Sequence, residues 1–466
     1  MVFSGLTFLL LFLPSLLILY FMSRDLRWRN GVLVIFSLLF YAWGEPIMVL
    51  LLIGTTLFNY LIALLMVRTS APGQKKLCLV LGVAGSLAGL LYFKYAGFFL
   101  STLESLLSVH FSFAAPRLPI GISFYTFQIL TYTVDVYRGK AGVQKSFWRL
   151  LLYVSCFPQL IAGPIVQYAD VALALDERLT TGEDFFRGMR RFLLGLGKKV
   201  LLANTCGSFL LACLPAGAAP KSIGGAWLSA LLYSLQLYFD FSAYSDMAIG
   251  LGRVLGFTYK ENFLYPYVSV SPTEFWRRWH ISLGSFFRDY VYIPLGGSRR
   301  GKGRRMLNLL VVWALTGLWH GAAWNFVLWG LYWFLLLVID KDLSKLWDRV
   351  PKLFRWLFTL LAAMVGWTIF YYTDMPALTA HLSALFGQGV TDWLDEGTLA
   401  ALRQYALFLP LACLAAMPLL PRARAMAERH PTLLEPLGTL LAVAVGLASL
   451  LFLVRQSYNP FIYFRF

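Results

Sequence analysis

Apolar runs follow one another along most of the chain, and they decide what it can fold into. Val32–Leu39, Leu77–Phe93 and Leu437–Val454 are among them. Several approach the roughly 20 apolar residues that a helix needs to cross a bilayer core. The whole composition points the same way: 59% of residues are hydrophobic, 14% are charged, and the mean hydropathy is +0.67. Soluble globular chains carry about 25% charged residues. The reading is an all-α polytopic membrane protein, with one membrane domain over residues 1–455 and a short tail over 456–466. The first apolar stretch, Met1–Met22, has no basic residues ahead of it and is followed by "SRDLRWRN". That pattern predicts a retained first helix rather than a cleaved signal peptide.

The formal charge of +17 is then concentrated between the apolar runs. Basic loops of a membrane protein face the cytosol and its anionic headgroups, so the charge needs no nucleic-acid partner. Arg24, Arg27 and Arg29 place the end of the first helix in the cytosol. Lys75/Lys76, Arg187/Arg190/Arg191, Lys198/Lys199 and the stretch Lys341–Arg355 read as further cytosolic loops. The densest cluster lies between Arg277 and Arg305, with "WRRWH" and "GGSRRGKGRR". Asp374–Glu396 holds four acids and no Lys or Arg, which suits an outside loop. Residues 421–430 return to the cytosol and Leu437–Val454 crosses once more, leaving both termini outside. The five cysteines show no metal-ligand spacing and read as small apolar residues.

Two of the five histidines stand out. His110, His381 and His430 fall in loops or at segment ends and read as solvated. His320 lies in "NLLVVWALTGLWHGAAWNFVLWGLYW". The run from Met306 to His320 reaches roughly 22 Å as a helix, short of the bilayer core of about 30 Å. "GAAWN" breaks it, and Phe326–Ile339 runs back to the basic loop at Lys341. Two short helices that meet at His320 inside the membrane follow from this. A break at that depth must be buried in protein or line a cavity, and an ionisable residue there is a functional candidate. Spacing alone leaves open a core histidine bonded to a carbonyl or held among tryptophans. His280 follows "SPTEFWRRW", where neighbouring positive charge favours a neutral imidazole. An interface residue on an amphipathic helix is its alternative. The surrounding Arg277, Arg278, Arg299 and Arg300 suit a phosphate-bearing ligand, since guanidinium pairs with phosphate through two bonds. A solvated or headgroup-binding loop is the commoner use of such a run.

Asp240 and Asp246, in "QLYFDFSAYSDMAIG", are six apart and do not share a helix face cleanly. They read as bonds to neighbouring helices or as groups that orient a partner, alongside Trp319 and Asn325 next to His320. No Ser-His-Asp order, zinc spacing or P-loop is present, and no metal is expected. General base catalysis on a hydroxyl is the chemistry that a buried imidazole supports.

"QLYFDFSAYSDMAIG", "EFWRRWHISLGSFFRDYVYIPLGG" and "GLWHGAAWNFVLWG", extended by "LPIGISFYTFQ", "DVYRG" and "PQLIAGPI", resemble the membrane-bound O-acyltransferase family. The likeness is greatest to its bacterial branch of alginate and cell-surface polysaccharide O-acetyltransferases, and covers roughly residues 1–340. The resemblance implies a ring of transmembrane and re-entrant helices around a central tunnel in the bacterial cytoplasmic membrane. It implies His320 as the catalytic histidine and His280 as a second active-site histidine. No permanently bound cofactor is implied. The donor would be cytosolic acetyl-CoA, its phosphates facing the Arg277–Arg305 surface.

The chain ends on "FIYFRF", which resembles the Phe-x-Tyr-x-x-Phe ending of the peptide partner in teichoic-acid D-alanylation at Phe461, Tyr463 and Phe466. The resemblance implies a tail folded into the outer mouth of the tunnel, anchored by Phe461, Phe464 and Phe466, with Tyr463 accepting the acyl group. An extracytoplasmic serine-hydrolase-like acyltransferase would carry it on to polysaccharide. An interfacial aromatic belt is the alternative for the tail. D-alanyl transfer from a carrier protein, a non-enzymatic transporter or flippase, and a scaffold for a polysaccharide machine are the competing functions.

Overall fold

The computed structural model describes residues 1–216, 218–419, 431–455 and 462, and among these every regular element is a helix, with one isolated bridge, Ser222 to Asp392. Five of the described helices are long and apolar enough to cross a membrane: Met48–Arg68, Pro72–Leu107, Trp324–Asp342, Lys352–Tyr371 and Leu434–Arg455. A sixth crossing arises if Glu396–Gln404 and Phe408–Ala415, bent by 72°, form one span. The first apolar stretch is a shorter helix, Phe8–Phe21. All five cysteines are free thiols.

The chain divides into two compact units, Met1–Phe192 with Ser245–Glu261, and Leu193–Tyr244 with Asn262–Phe466. The division falls inside two helices, Gly182–Gly197 and Ile223–Val254. In the first unit Phe3, Phe8, Phe12, Phe40 and Phe157 build an aromatic cluster with ring centroids 5.0–6.2 Å apart. "FPQLIAGPI" contributes Phe157 to the cluster and meets "LPIGISFYTFQ" at Gly121. Gly121 adopts φ +76° at the start of the Ile122–Tyr137 helix, and a Cβ on it would lie 3.1 Å from the Leu160 carbonyl oxygen. Only glycine takes that conformation without strain, and the same residue permits the close approach.

In the second unit the helices Gly301–His320 and Trp324–Asp342 form a tight hairpin broken only at residues 321–323. This is the break expected from "GAAWN", but the two helices are not short. Gly301–His320 has 20 residues, about 30 Å, because the basic stretch before Met306 joins the helix. Trp324–Asp342 is long and apolar enough to cross a membrane. The two helices touch main chain to main chain: a Cβ on Gly317 would fall 2.3 Å from the Phe326 carbonyl oxygen, and one on Gly330 would fall 2.4 Å from that of Trp313. Small residues at such crossings let helices pack where no hydrophobic force separates protein from lipid. Gly330→Val is therefore expected to push the hairpin apart and destabilise the protein by about 1–3 kcal/mol. Gly303→Val, which meets nothing within 4 Å, serves as the control in thermal unfolding followed by tryptophan fluorescence. The hairpin leans on an aromatic core in which Trp276, Trp333 and Trp367 pack around Phe275, and Trp329 packs on Trp276 and Trp367.

Two groups of basic residues read as loops prove helical. Arg187, Arg190 and Arg191 lie on the Gly182–Gly197 helix, and Lys198 and Lys199 open the π-helical turn Lys198–Ala203 that continues it. Arg191 binds Asp246 and Glu261, and Lys199 is buried. The charges of Arg191 and Lys199 are met by carboxylates, so these two do not mark a solvated loop, whereas Arg187 is exposed and pairs with Glu183 along the helix. His381 also departs from its expected solvated setting. It is 2% exposed on the Met375–Leu385 helix, bonded through Nε2 to the Ala226 carbonyl and through Nδ1 to the Tyr372 hydroxyl. The carbonyl can only accept, so Nε2 carries the proton and Nδ1 accepts from Tyr372. His110 is exposed as expected, and His430 lies outside the described residues.

Candidate active site

His280 owes its place to a helix start and a strained junction. Ser271 caps the short Pro272–Arg278 helix by accepting the Glu274 N–H, with Pro272 at its first position. Both are sequence signals for a helix N-terminus. Glu274 also accepts from the Val270 N–H (2.9 Å) and from Arg278 (2.7 and 3.0 Å). The helix ends at Trp279, and His280 takes left-handed angles, φ 45° and ψ 54°, before the chain enters Ile281–Phe287. A non-glycine residue held there costs about 1–3 kcal/mol and persists only when its surroundings fix it.

Those surroundings are specific. His280 is 1% exposed, and its Nδ1 lies 3.2 Å from Asn262 Oδ1. The same oxygen accepts the Ser282 N–H (3.1 Å) and the Ser282 hydroxyl (2.9 Å). An oxygen that collects donors marks His280 Nδ1 as the N–H, so the lone pair sits on Nε2. Nε2 is buried and has no hydrogen-bond partner among the described residues. Burial lowers the imidazole pKa to about 3. The neutral ring expected from the sequence is thus produced by desolvation and not by neighbouring arginines. Because the folded value lies below the ordinary 6.5, protons bind the unfolded chain first. This group's contribution to stability is intact above about pH 6.5 and is lost as pH falls toward 3.

Asn262→Ala is expected to free the ring's tautomer and lower activity by about one to two orders of magnitude, less than the roughly 10⁴-fold seen when a wrong tautomer is imposed. Asn262→Asp would set a carboxylate against Nδ1 and raise the His280 pKa. The pH–rate profile of that variant is expected to gain an additional acid limb between pH 5 and 8.

His320 is the last residue of the Gly301–His320 helix and is 5% exposed. Three rings face it at centroid distances of 5.0–5.1 Å, Trp319, Trp329 and Phe370, all near edge-on. Trp319 also lies 5.9 Å from His280, so one indole separates the two imidazoles. Phe241 closes the other side of His280 at 4.6 Å. Asn325, fully buried at the start of the returning helix, donates to the carbonyls of Ile369 and Phe370 (both 3.3 Å). It thereby ties the end of the Lys352–Tyr371 helix, and with it Phe370, to the hairpin.

The two aspartates have separate tasks. Asp246 accepts from Arg191 Nε (3.1 Å) and a terminal guanidinium nitrogen (2.8 Å) within the first unit. Asp240, 3% exposed in the second unit, pairs through Oδ1 with Lys199 Nζ at 2.6 Å. Removing one partner of such a buried pair costs about 3–5 kcal/mol, since the other charge is stranded. Asp240 Oδ2 accepts the main-chain N–H of Ile462 (2.8 Å), and Ile462 is itself buried. Phe461, Tyr463, Phe464 and Phe466 lie outside the described residues.

The proposed phosphate-binding arginines differ in setting. Arg277, Arg299 and Arg300 are exposed, whereas Arg278 is half-buried and engaged by Glu274. Among the described residues no cluster of His, Cys, Asp or Glu could hold a metal ion. Sequence reasoning did not find Asn262, Ser282 or Lys199. Asn262 lies 18 positions from His280 with no spacing rule between them, and Lys199 sits in a charge run that reads as solvated.

The model of the membrane-bound O-acyltransferase family matches residues 124–383. The chain is 40% identical over 495 residues to a protein of Pseudomonas putida named probable alginate O-acetylase AlgI, covering 100% of both chains. It is 34% identical over 415 residues to a peptidoglycan O-acetyltransferase of Helicobacter pylori, covering 82% of this chain and 79% of the other. A teichoic acid D-alanyltransferase of Bacillus subtilis is 28% identical over 249 residues, 51% of this chain and 62% of that one.

Proposed function

The chain belongs to the membrane-bound O-acyltransferase family, is a multi-pass all-helical O-acyltransferase, and on that premise we propose that it O-acetylates a cell-surface polysaccharide by a tyrosine relay. The donor is cytosolic acetyl-CoA, met by the basic Arg277–Arg305 surface. Tyr463 takes the acetyl group, and an extracytoplasmic serine-hydrolase-like acyltransferase carries it to the polymer. The enzyme lies in the bacterial cytoplasmic membrane with both termini outside.

The observation that carries this reading is the connection between tail and histidines. Ile462, the residue before Tyr463, bonds through its main chain to Asp240, and the next residue of that helix, Phe241, packs on the His280 ring. In the step itself His320 accepts the phenol proton of Tyr463. The phenol oxygen attacks the thioester carbonyl, the C–S bond breaks, and the sulfur leaves as CoA after taking a proton. A phenol, of ordinary pKa near 10, is easier to activate than an aliphatic alcohol, and its ester remains a good leaving group for the second transfer. His280, neutral and with its lone pair on Nε2, offers the site an acceptor beside the Trp319 indole.

Acetyl is favoured over D-alanyl because the relatives aligned over the full or nearly full chain are named O-acetylases or O-acetyltransferases, whereas the D-alanyltransferase aligns over about half. The test is the ester-bound acetate of surface polysaccharide in cells that carry the wild type or His320→Ala. Acetate lost with His320 supports the reading. Acetate retained at the wild-type level would leave a scaffold or a transporter in its place.

A further inference from the structure

We propose that the buried Asp240–Lys199 pair is a binding site for the chain's own C-terminal segment, one that holds the segment by its main chain. Asp240 divides its carboxylate between two tasks. Oδ1 meets the Lys199 ammonium at 2.6 Å, and Oδ2 accepts the Ile462 N–H at 2.8 Å. Both side chains of the pair are 3% exposed. Lys199 neutralises the carboxylate, so the site receives a peptide N–H without an uncompensated buried charge. A charge-assisted bond to a main-chain N–H is stronger than a neutral one. The contact fixes where the main chain of position 462 stands, and the Ile462 side chain is buried in the apolar core of the same unit.

Local structure explains why the lysine faces inward. Lys198–Ala203 is a π-helical turn, and the extra residue in a π turn shifts the register of the helix face. Lys199 thus points into the protein while Lys198 stays half-exposed. The preceding turn receives the last long helix: Gly197 lies against Val445, and Gly446 against Leu193. From Arg455, where that helix ends, seven residues lead to Ile462 and reach at most about 25 Å when extended. Helix and tail therefore converge on one stretch, Leu193–Ala203, with the helix packing outside it and the tail bonding through Asp240. The pair acts as a positioning device: it sets the main chain one residue before Tyr463. That purpose rests on the relay reading above, whereas the site itself does not.

Amide hydrogen exchange of the C-terminal peptide in nanodiscs, on the full chain, reads the Ile462 N–H directly. Two neutral double variants avoid stranding a buried charge. Lys199→Met with Asp240→Asn keeps an acceptor oxygen for Ile462, and Lys199→Met with Asp240→Leu removes it. The site predicts protection near the wild-type level in the first and exchange roughly 10- to 100-fold faster in the second, with the hairpin peptides unchanged in both. Equal exchange at Ile462 in the two variants would overturn the site. Should the asparagine variant keep its tail protected while Tyr463 never takes up acetyl in any form of the protein, the site stands and the relay falls.

Discussion

His320→Ala is expected to lower acetyl transfer by about 10²–10⁴-fold, the range that a positioned general base contributes, while the fold and donor binding persist. The persistence follows from the structure. The Gly321 N–H still bonds to the Gly317 carbonyl, and the hairpin is held by Gly317 and Gly330 rather than by the imidazole. The loss leaves a gap among Trp319, Trp329 and Phe370, a change of the kind that costs about 0.5–3 kcal/mol in stability. Transfer should therefore fall far more than the unfolding temperature, and measuring both on the same preparation separates a base from a packing residue. A transporter predicts the opposite, with ligand movement unaffected by the substitution.

Tyr463→Phe has the second large effect. It deletes one oxygen and keeps the ring, so any apolar anchoring of the tail survives. The account predicts no covalent acetyl on the tail and no ester acetate on surface polymer, with Asp240 still holding the Ile462 main chain. If the terminal aromatics served only as an interfacial belt, phenylalanine would replace tyrosine with little consequence. Acetate content of polymer from cells carrying this variant checks the prediction, with protein abundance in the membrane as the control.

The histidine hairpin was legible in its turn but not in its lengths. A Gly-Ala-Ala break between two apolar runs predicts the turn at residues 321–323, which the structure shows. The lengths did not follow: the first helix starts five residues earlier, at Gly301, and Trp324–Asp342 is long and apolar enough to cross a membrane. The helix start at Ser271 carries a local signal of the same kind, a capping serine followed by proline. What escaped was set by distant partners. The tautomer of His280 depends on Asn262, and no periodicity joins an asparagine on one side of a short helix to a histidine on the other. Lys199 escaped because a charge run looks the same whether solvated or buried, and the π turn that directs it inward has no sequence signature. His381 escaped for a related reason: its partners, Tyr372 and the Ala226 carbonyl, come from elsewhere in the unit.

The most direct test of the relay is peptide mass spectrometry on the purified protein after incubation with isotopically labelled acetyl-CoA, beside His320→Ala and Tyr463→Phe. The account predicts one labelled acetyl on Tyr463 in the wild type, none in Tyr463→Phe and a strongly reduced amount in His320→Ala. No label on Tyr463, with surface polymer still acetylated in cells that carry Tyr463→Phe, would contradict it.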